Sequence, residues 1–124
     1  MGANYSLGTQ QLICLARAML NPSRILLLDE ATAALDSDTN AAVSEVLQKH
    51  FSDRTIFTIA HRLDTIIESD RILTMSAGVV AEFDPPHVLL ENPDSIFYDL
   101  CMNTGKAQFD VLAAKAKARY FAEA

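Results

Sequence analysis

The sequence predicts a layered α/β fold in which short, buried strands alternate with helices. Residues 25–28 (ILLL) form a continuous apolar run that ends in two carboxylates, Asp29 and Glu30. A run so short and so apolar fits a strand covered on both faces, as in a parallel sheet. Residues 55–60 (TIFTIA) form a second run, β-branched and apolar, and helical segments flank both. Such alternation implies helices packed on a sheet.

The elements follow in order. Residues 10–20 (QQLICLARAML) are apolar nearly all round, so a buried helix is expected. Asn21-Pro22 ends it, because the residue before proline avoids helical geometry. After the first strand, Ser37 and Asp38 are candidate caps for a helix reaching about His50, with Val43, Val46 and Leu47 on one face. Residues 63–68 read as a short helix. Residues 72–75 and 79–83 flank Ser76-Ala77-Gly78 and read as a hairpin. Asp84-Pro85-Pro86 stops the hairpin and opens another helix, and a further helix covers residues 95–102. From Gly105 onward Phe109, Leu112, Ala113 and Ala116 recur at helical spacing, which reads as a packed or solvated terminal helix. Lys115, Lys117 and Arg119 could instead touch an anionic membrane surface, but three basic residues fall short of a polybasic cluster, which favours the packed or solvated helix.

Bulk composition narrows the partners. Of 124 residues, 50% are hydrophobic, enough for the core of one compact domain or of part of a larger one. The formal net charge of −6 argues against nucleic acid as a partner, since binding a phosphate backbone takes an excess of Lys and Arg. It leaves room for a nucleotide, which local groups hold. The two cysteines, Cys14 and Cys101, have no paired spacing with histidine, so neither a zinc site nor a disulfide framework is indicated. Cys14 reads as a small buried hydrophobe. No apolar stretch approaches the roughly 18 residues that span a bilayer.

Asp29 and Glu30 emerge where a buried strand ends, the place where open α/β sheets bind ligands. An aspartate there can hold Mg²⁺, directly or through water. A second carboxylate beside it can orient and polarise an attacking water. Upstream, Ser6-Leu7-Gly8-Thr9-Gln10-Gln11 leads into the first helix. A small Ser-x-Gly segment at a helix N-terminus offers backbone N–H groups and the positive dipole end to an anion. Ser6 adds a hydroxyl and Gly8 permits close approach, although Ser6 alone reads as a helix cap. Downstream, Ala34-Leu35-Asp36 precedes the second helix and Ala60-His61-Arg62-Leu63 follows the second strand. A histidine there can reach a terminal phosphate or the attacking water.

In this order the segments resemble the ABC ATPase family. Its signature, usually LSGGQ, resembles residues 5–9 (YSLGT). LLLDEAT resembles the Walker B strand with its catalytic glutamate. Ala34-Leu35-Asp36 resembles the D-loop, and His61 the switch histidine. The later hairpin and NPDSIFYDL resemble the end of the same domain, so the likeness covers most of the chain. Ala-His-Arg-Leu after TIFTI is similar to the exporter type. Tyr-Ser-Leu-Gly with Gln-Leu-Ile-Cys-Leu-Ala-Arg-Ala is similar to the second nucleotide-binding domain of C-subfamily transporters, the multidrug-resistance-associated group. Thr9 departs from the family's signature glutamine, and Ala33 from its usual serine.

The resemblance implies the C-terminal half of a P-loop NTPase domain over residues 1–104, with a helical tail over residues 105–124. Glu30 and His61 would be catalytic. Asp29 would be the metal ligand, for Mg²⁺. Ser6, Gly8, Gln11 and Asp36 would bind ATP. The implied partners are a second ABC ATPase domain and the transmembrane domains of a parent transporter, on the cytosolic face of a membrane. No Gly-x-x-x-x-Gly-Lys-Ser/Thr loop occurs in the sequence, so the isolated chain is expected not to hydrolyse ATP and to be marginally stable. Gly2-Ala3-Asn4 resembles the family's approach to its signature, which points to a chain cut from something longer. Two other readings stay open: a truncated regulatory partner of an intact ABC ATPase, and a fragment of a soluble ABC ATPase.

Overall fold

The computed structural model describes residues 4–123; Gly2 and Ala3, read as the approach to the signature, lie outside them. The chain divides into two compact units, Met1–His61 and Arg62–Ala124. Both mix helices with a two-stranded sheet, in keeping with the expected α/β class.

In the first unit, helix α1 spans Leu7–Met19 and strand β1 spans Ile25–Asp29. Helix α2 spans Ser37–His50 and strand β2 spans Thr55–Ile59. α1 starts earlier than its apolar run because Ser6 caps it, accepting a hydrogen bond from the Thr9 N–H. α2 is capped by Asp36, one residue before the caps expected at Ser37 and Asp38. Asp36 keeps an extended backbone, and its carboxylate accepts from both the N–H and the hydroxyl of Thr39. β1 and β2 pair in parallel, from Ile25 opposite Thr55 to Asp29 opposite Ile59.

The core of this unit is Leu15, Leu47 and Phe51, with Met19, Leu26, Leu28, Ala31 and Val43 packed against it. Both helices therefore cover the Leu26 and Leu28 face of β1. Successive strand side chains point to opposite faces, so Ile25 and Leu27 point the other way. Leu27 is 74% exposed, and Phe57 and Ile59 of β2 are exposed too. This corrects the expectation of a strand buried on both faces: the unit's own helices lie on one face only. The same one-sided packing corrects the reading of α1. Leu15 is its buried residue, while Leu12, Ile13 and Cys14 are exposed. Cys14 lines an open groove with Leu7, Leu15 and Leu26 rather than filling a core.

In the second unit a short helix, α3 (Leu63–Ile66), leads to a hairpin of β3 (Ile72–Ser76) and β4 (Val79–Asp84). The turn residues Ala77 and Gly78 both have positive φ, 50° and 79°, as tight two-residue hairpin turns require. Helices α4 (Pro86–Glu91), α5 (Ile96–Met102) and α6 (Lys106–Glu123) follow. α4 opens on proline, which suits a first turn with no N–H partner to lose. The core joins Ile67 and Ile72 to Leu89, Leu90, Phe97, Cys101, Phe109, Leu112 and Ala116. The terminal helix is thus packed through the residues whose spacing predicted it. Two of its basic residues have local partners: Arg119 donates to the Glu68 carbonyl at 3.2 Å, and Lys117 lies 3.8 Å from Glu91. Burial pushes the Cys101 thiol up to about 11, which leaves it protonated and inert.

The start of α5 is secured from the hairpin. Ser95, only 2% exposed, caps the helix through the Tyr98 N–H. The Glu82 carboxylate of β4 accepts from the N–H groups of Ile96 at 2.7 Å and Phe97 at 3.2 Å. Burial alone would raise the Glu82 pKa. Hydrogen bonds from Ser95, Ile96, Thr74 and Phe97 outweigh it, so the group titrates below its ordinary 4.5. A lowered folded-state pKa contributes stability above the unfolded value and loses it as pH falls through the folded value. Glu82→Gln is therefore expected to lower stability at neutral pH. The gap from the parent chain should close as pH falls below 4.5. Urea denaturation of the two chains across that range measures it, and a gap that is constant with pH would contradict the charged-cap role.

Candidate functional site

Parallel pairing brings the C-terminal ends of β1 and β2 side by side. The ladder runs one residue past β1, where the Glu30 N–H donates to the Ile59 carbonyl at 2.8 Å. At Glu30 the backbone turns to a φ of 48°. For a residue with a β-carbon this left-handed geometry costs about 1–2 kcal/mol. It ends the strand at once and swings the chain into the loop 31–36. The Glu30 carbonyl then accepts from the Ala33 N–H at 3.1 Å and from Gln11 Nε2 at 3.2 Å.

His61 stands two residues beyond β2, and its Nε2 lies 2.5 Å from Glu30 Oε1. The two side chains are 85% and 42% exposed, so the pair faces water rather than a core. Asp29 ends β1 beside them and is also exposed. Among the described residues no cluster of three or more His, Cys, Asp or Glu could cage a metal. Mg²⁺ does not need one, since it is commonly held by one or two carboxylates plus water and phosphate oxygens. Asp29 fits that kind of donor.

The N-terminal end of α1 meets the same loop. Ser6 Oγ accepts from the Thr9 N–H at 3.2 Å and lies 2.9 Å from the Thr9 hydroxyl. Thr9, the residue that departs from the glutamine of the resembled signature, thus engages Ser6. A β-carbon on Gly8 would sit 3.2 Å from the Ala34 carbonyl oxygen and 3.5 Å from Leu35 Cδ2, so glycine lets the helix touch the loop. Gln11 is half-buried. Its Nε2 donates to the Glu30 carbonyl and its Oε1 accepts from the Ala34 N–H at 3.0 Å. Asp36 closes the loop as the α2 cap, with the Thr39 hydroxyl and then the Thr39 N–H holding its carboxyl below the usual value.

Of the residues singled out from sequence, Glu30 and His61 are in direct contact. Gly8 and Gln11 touch the loop that starts at Glu30, Asp36 ends that loop, and Ser6 stands at the outer end of α1. Sequence reasoning missed Ala34 as the point where the helix and loop meet. A signal was present: Gly8, Gln11 and Leu15 recur at i, i+3 and i+7, which puts them on one helix face.

The left-handed turn at Glu30 gives a clean backbone test. Glu30→Gly and Glu30→Ala both remove the carboxylate, but only glycine adopts φ near 48° without strain. The glycine variant is expected to be the more stable by about 1 kcal/mol in chemical denaturation. An alanine variant of equal or greater stability would show that no strain is held there.

The family profile described as ABC transporter matches residues 1–33. The metal resistance protein YCF1 of Saccharomyces cerevisiae is 59% identical over 104 residues, covering 84% of this chain and 7% of that protein. ATP-binding cassette sub-family C member 4 of Mus musculus is 46% identical over 120 residues, covering 97% of this chain and 9% of that protein. The structure of a bacterial Atm1-family ABC exporter with ATP bound superposes with a TM-score of 0.78 at 36% identity, over 84% of this chain and 18% of that one. The chain thus spans under a tenth of the length of these two curated relatives. It belongs to the ABC transporter family and corresponds to a fragment of the nucleotide-binding domain.

Proposed function

We propose that this chain supplies the hydrolytic half of an ATP site in a C-subfamily exporter, which couples ATP hydrolysis to transport across a membrane. The observation that carries the reading is the Glu30–His61 pair at the ends of two parallel strands, 2.5 Å apart and open to solvent. On this reading residues 1–104 belong to the ATPase domain and residues 105–124 are its helical tail. No helix among the described residues is long and apolar enough to cross a membrane. On this reading the membrane domains of the parent transporter are partners of this segment.

The roles follow from the chemistry. Glu30 accepts a hydrogen bond from the attacking water and takes its proton as the oxygen bonds the γ-phosphorus. The bond to the bridging oxygen breaks and ADP leaves. His61 orients the Glu30 carboxylate and donates toward the γ-phosphate. Asp29 would support Mg²⁺, directly or through water, and the ion would offset charge on the phosphates. The strand carries its acid at an open sheet end, where substrate can enter.

Ser6 and Gly8 serve another nucleotide, held by a second ABC ATPase domain. They stand at the N-terminus of α1, where N–H groups and the helix dipole favour an anion. Asp36, an exposed cap, directly follows the Ala34-Leu35 segment that Gly8 approaches. The unequal pair of sites is supported by Leu7 and Thr9, which depart from the commoner signature, whereas Glu30 matches the family's catalytic glutamate. In the intact transporter, Glu30→Gln is expected to cut turnover by at least about 100-fold while ATP stays bound. Ser6→Ala should chiefly weaken nucleotide retention at the other site and leave substantial turnover. Nucleotide occupancy by site, measured with the hydrolysis rate, tests both. If Ser6→Ala stops hydrolysis as completely as Glu30→Gln, the unequal assignment is wrong.

A further inference from the structure

We propose that Gln11 is a positioning residue that sets the Glu30 carboxylate, acting from α1 through the backbone of the loop. The inference rests on the hydrolytic role given to Glu30 above. Gln11 lies on the face of α1 that also carries Gly8 and Leu15. Its carboxamide bridges two backbone groups on either side of the loop's first turn, the Glu30 carbonyl and the Ala34 N–H. The amide orientation is dictated by chemistry. The Ala34 N–H can only donate and the Glu30 carbonyl can only accept, so Oε1 faces the one and Nε2 the other.

That bridge acts where the backbone is least content. Glu30 holds a φ of 48°, a conformation that persists only when its surroundings over-determine it. Three hydrogen bonds hold it there: its N–H to Ile59, and its carbonyl from Ala33 and from Gln11. The first two come from the sheet and the loop itself. The third is a side chain from another element. The direction of the Glu30 side chain, and so its contact with His61, follows from the backbone angles that these bonds fix.

Gln11 also ties that geometry to the helix whose first turn carries Ser6 and Gly8. Gly8 lies against the Ala34 carbonyl, and one turn later Gln11 takes the Ala34 N–H. Both polar groups of the same residue are therefore read by one helix face. A shift of the α1 N-terminus would be felt at Ala34 and, through Gln11, at Glu30. A direct nucleotide contact by Gln11 fits less well, since both ends of its carboxamide already serve the loop.

The test uses the intact transporter with Mg²⁺ and ATP, and compares Gln11→Leu, Glu30→Gln and the double variant. Leucine fills similar space without either hydrogen bond. Gln11→Leu is expected to lower kcat about tenfold with the KM for ATP within about twofold. On the Glu30→Gln background it should add no further loss, because a residue that acts through Glu30 has nothing left to position. ATP binding by the single variant, at the parent's affinity, reports that it folds; if it does not bind, Gln11→Glu replaces it, since it keeps the acceptor for Ala34 and loses the donor to Glu30. A raised KM at unchanged kcat would make Gln11 a nucleotide contact and overturn the proposal. An equal loss on both backgrounds, or no loss at all, would overturn it as well. Unchanged turnover in Glu30→Gln would instead sink the hydrolytic reading itself, and this inference with it.

Discussion

The parallel pairing of β1 with β2 is the constraint on which the site depends. Parallel strands end on the same side, so residues separated by 30 positions in the sequence, Asp29 and Ile59, become neighbours. Everything catalytic in the proposed reading hangs from that edge. Glu30 takes one more ladder bond from Ile59 and then turns away, and His61 follows β2 by two residues to meet it. An antiparallel pairing of the same runs would send the acid and the imidazole to opposite ends of the sheet. The register holds because α1 and α2 pack on Leu26 and Leu28. A slip by one residue would turn those side chains to the uncovered face.

The loop between β1 and α2 translates this edge into a site. It is pinned at its start by the strained Glu30 backbone, in its middle by Gly8 and Gln11 against Ala34, and at its end by the Asp36 cap. Each pin is polar or steric rather than apolar, which suits a segment that stays partly exposed. The second unit relies on a different device. Its hairpin and helices share an apolar core, and Glu82 neutralises the unpaired N–H groups at the start of α5.

Much of this was legible in the sequence, for identifiable reasons. The acid-terminated apolar run, the TIFTI run and the Asp84-Pro85-Pro86 break all encode local backbone preferences, and each element falls within a few residues of its expected place. The hairpin turn was readable because Gly78 tolerates the positive φ it needs. Burial was less legible. An apolar run states that a surface wants covering, not which residues of the same chain cover it, so Leu27 and Cys14 were expected inside and stand outside. The α2 cap was misplaced because three consecutive residues, Asp36, Ser37 and Asp38, can all cap, and only the backbone angles choose among them. Neither the left-handed Glu30 nor the Gln11 bridge has a local signature. Glu30 is not a glycine, and Gln11 finds its partners 19 and 23 residues away.

The register of β1 and β2 can be measured without any turnover assay. Leu27 and Phe57 are partners across the pair, and both side chains are exposed on the uncovered face. In a chain with Cys14→Ser, the pair Leu27→Cys and Phe57→Cys lies within the reach of a disulfide, whereas Leu27→Cys with Ile59→Cys is displaced along the strand. Mild oxidation followed by non-reducing electrophoresis and mass spectrometry reads the bond. The expected result is rapid, near-complete closure of the first pair and slow or negligible closure of the second. Preferential closure of the displaced pair would mean a different register. Glu30 and His61 would then not be neighbours, and the site as described would not exist.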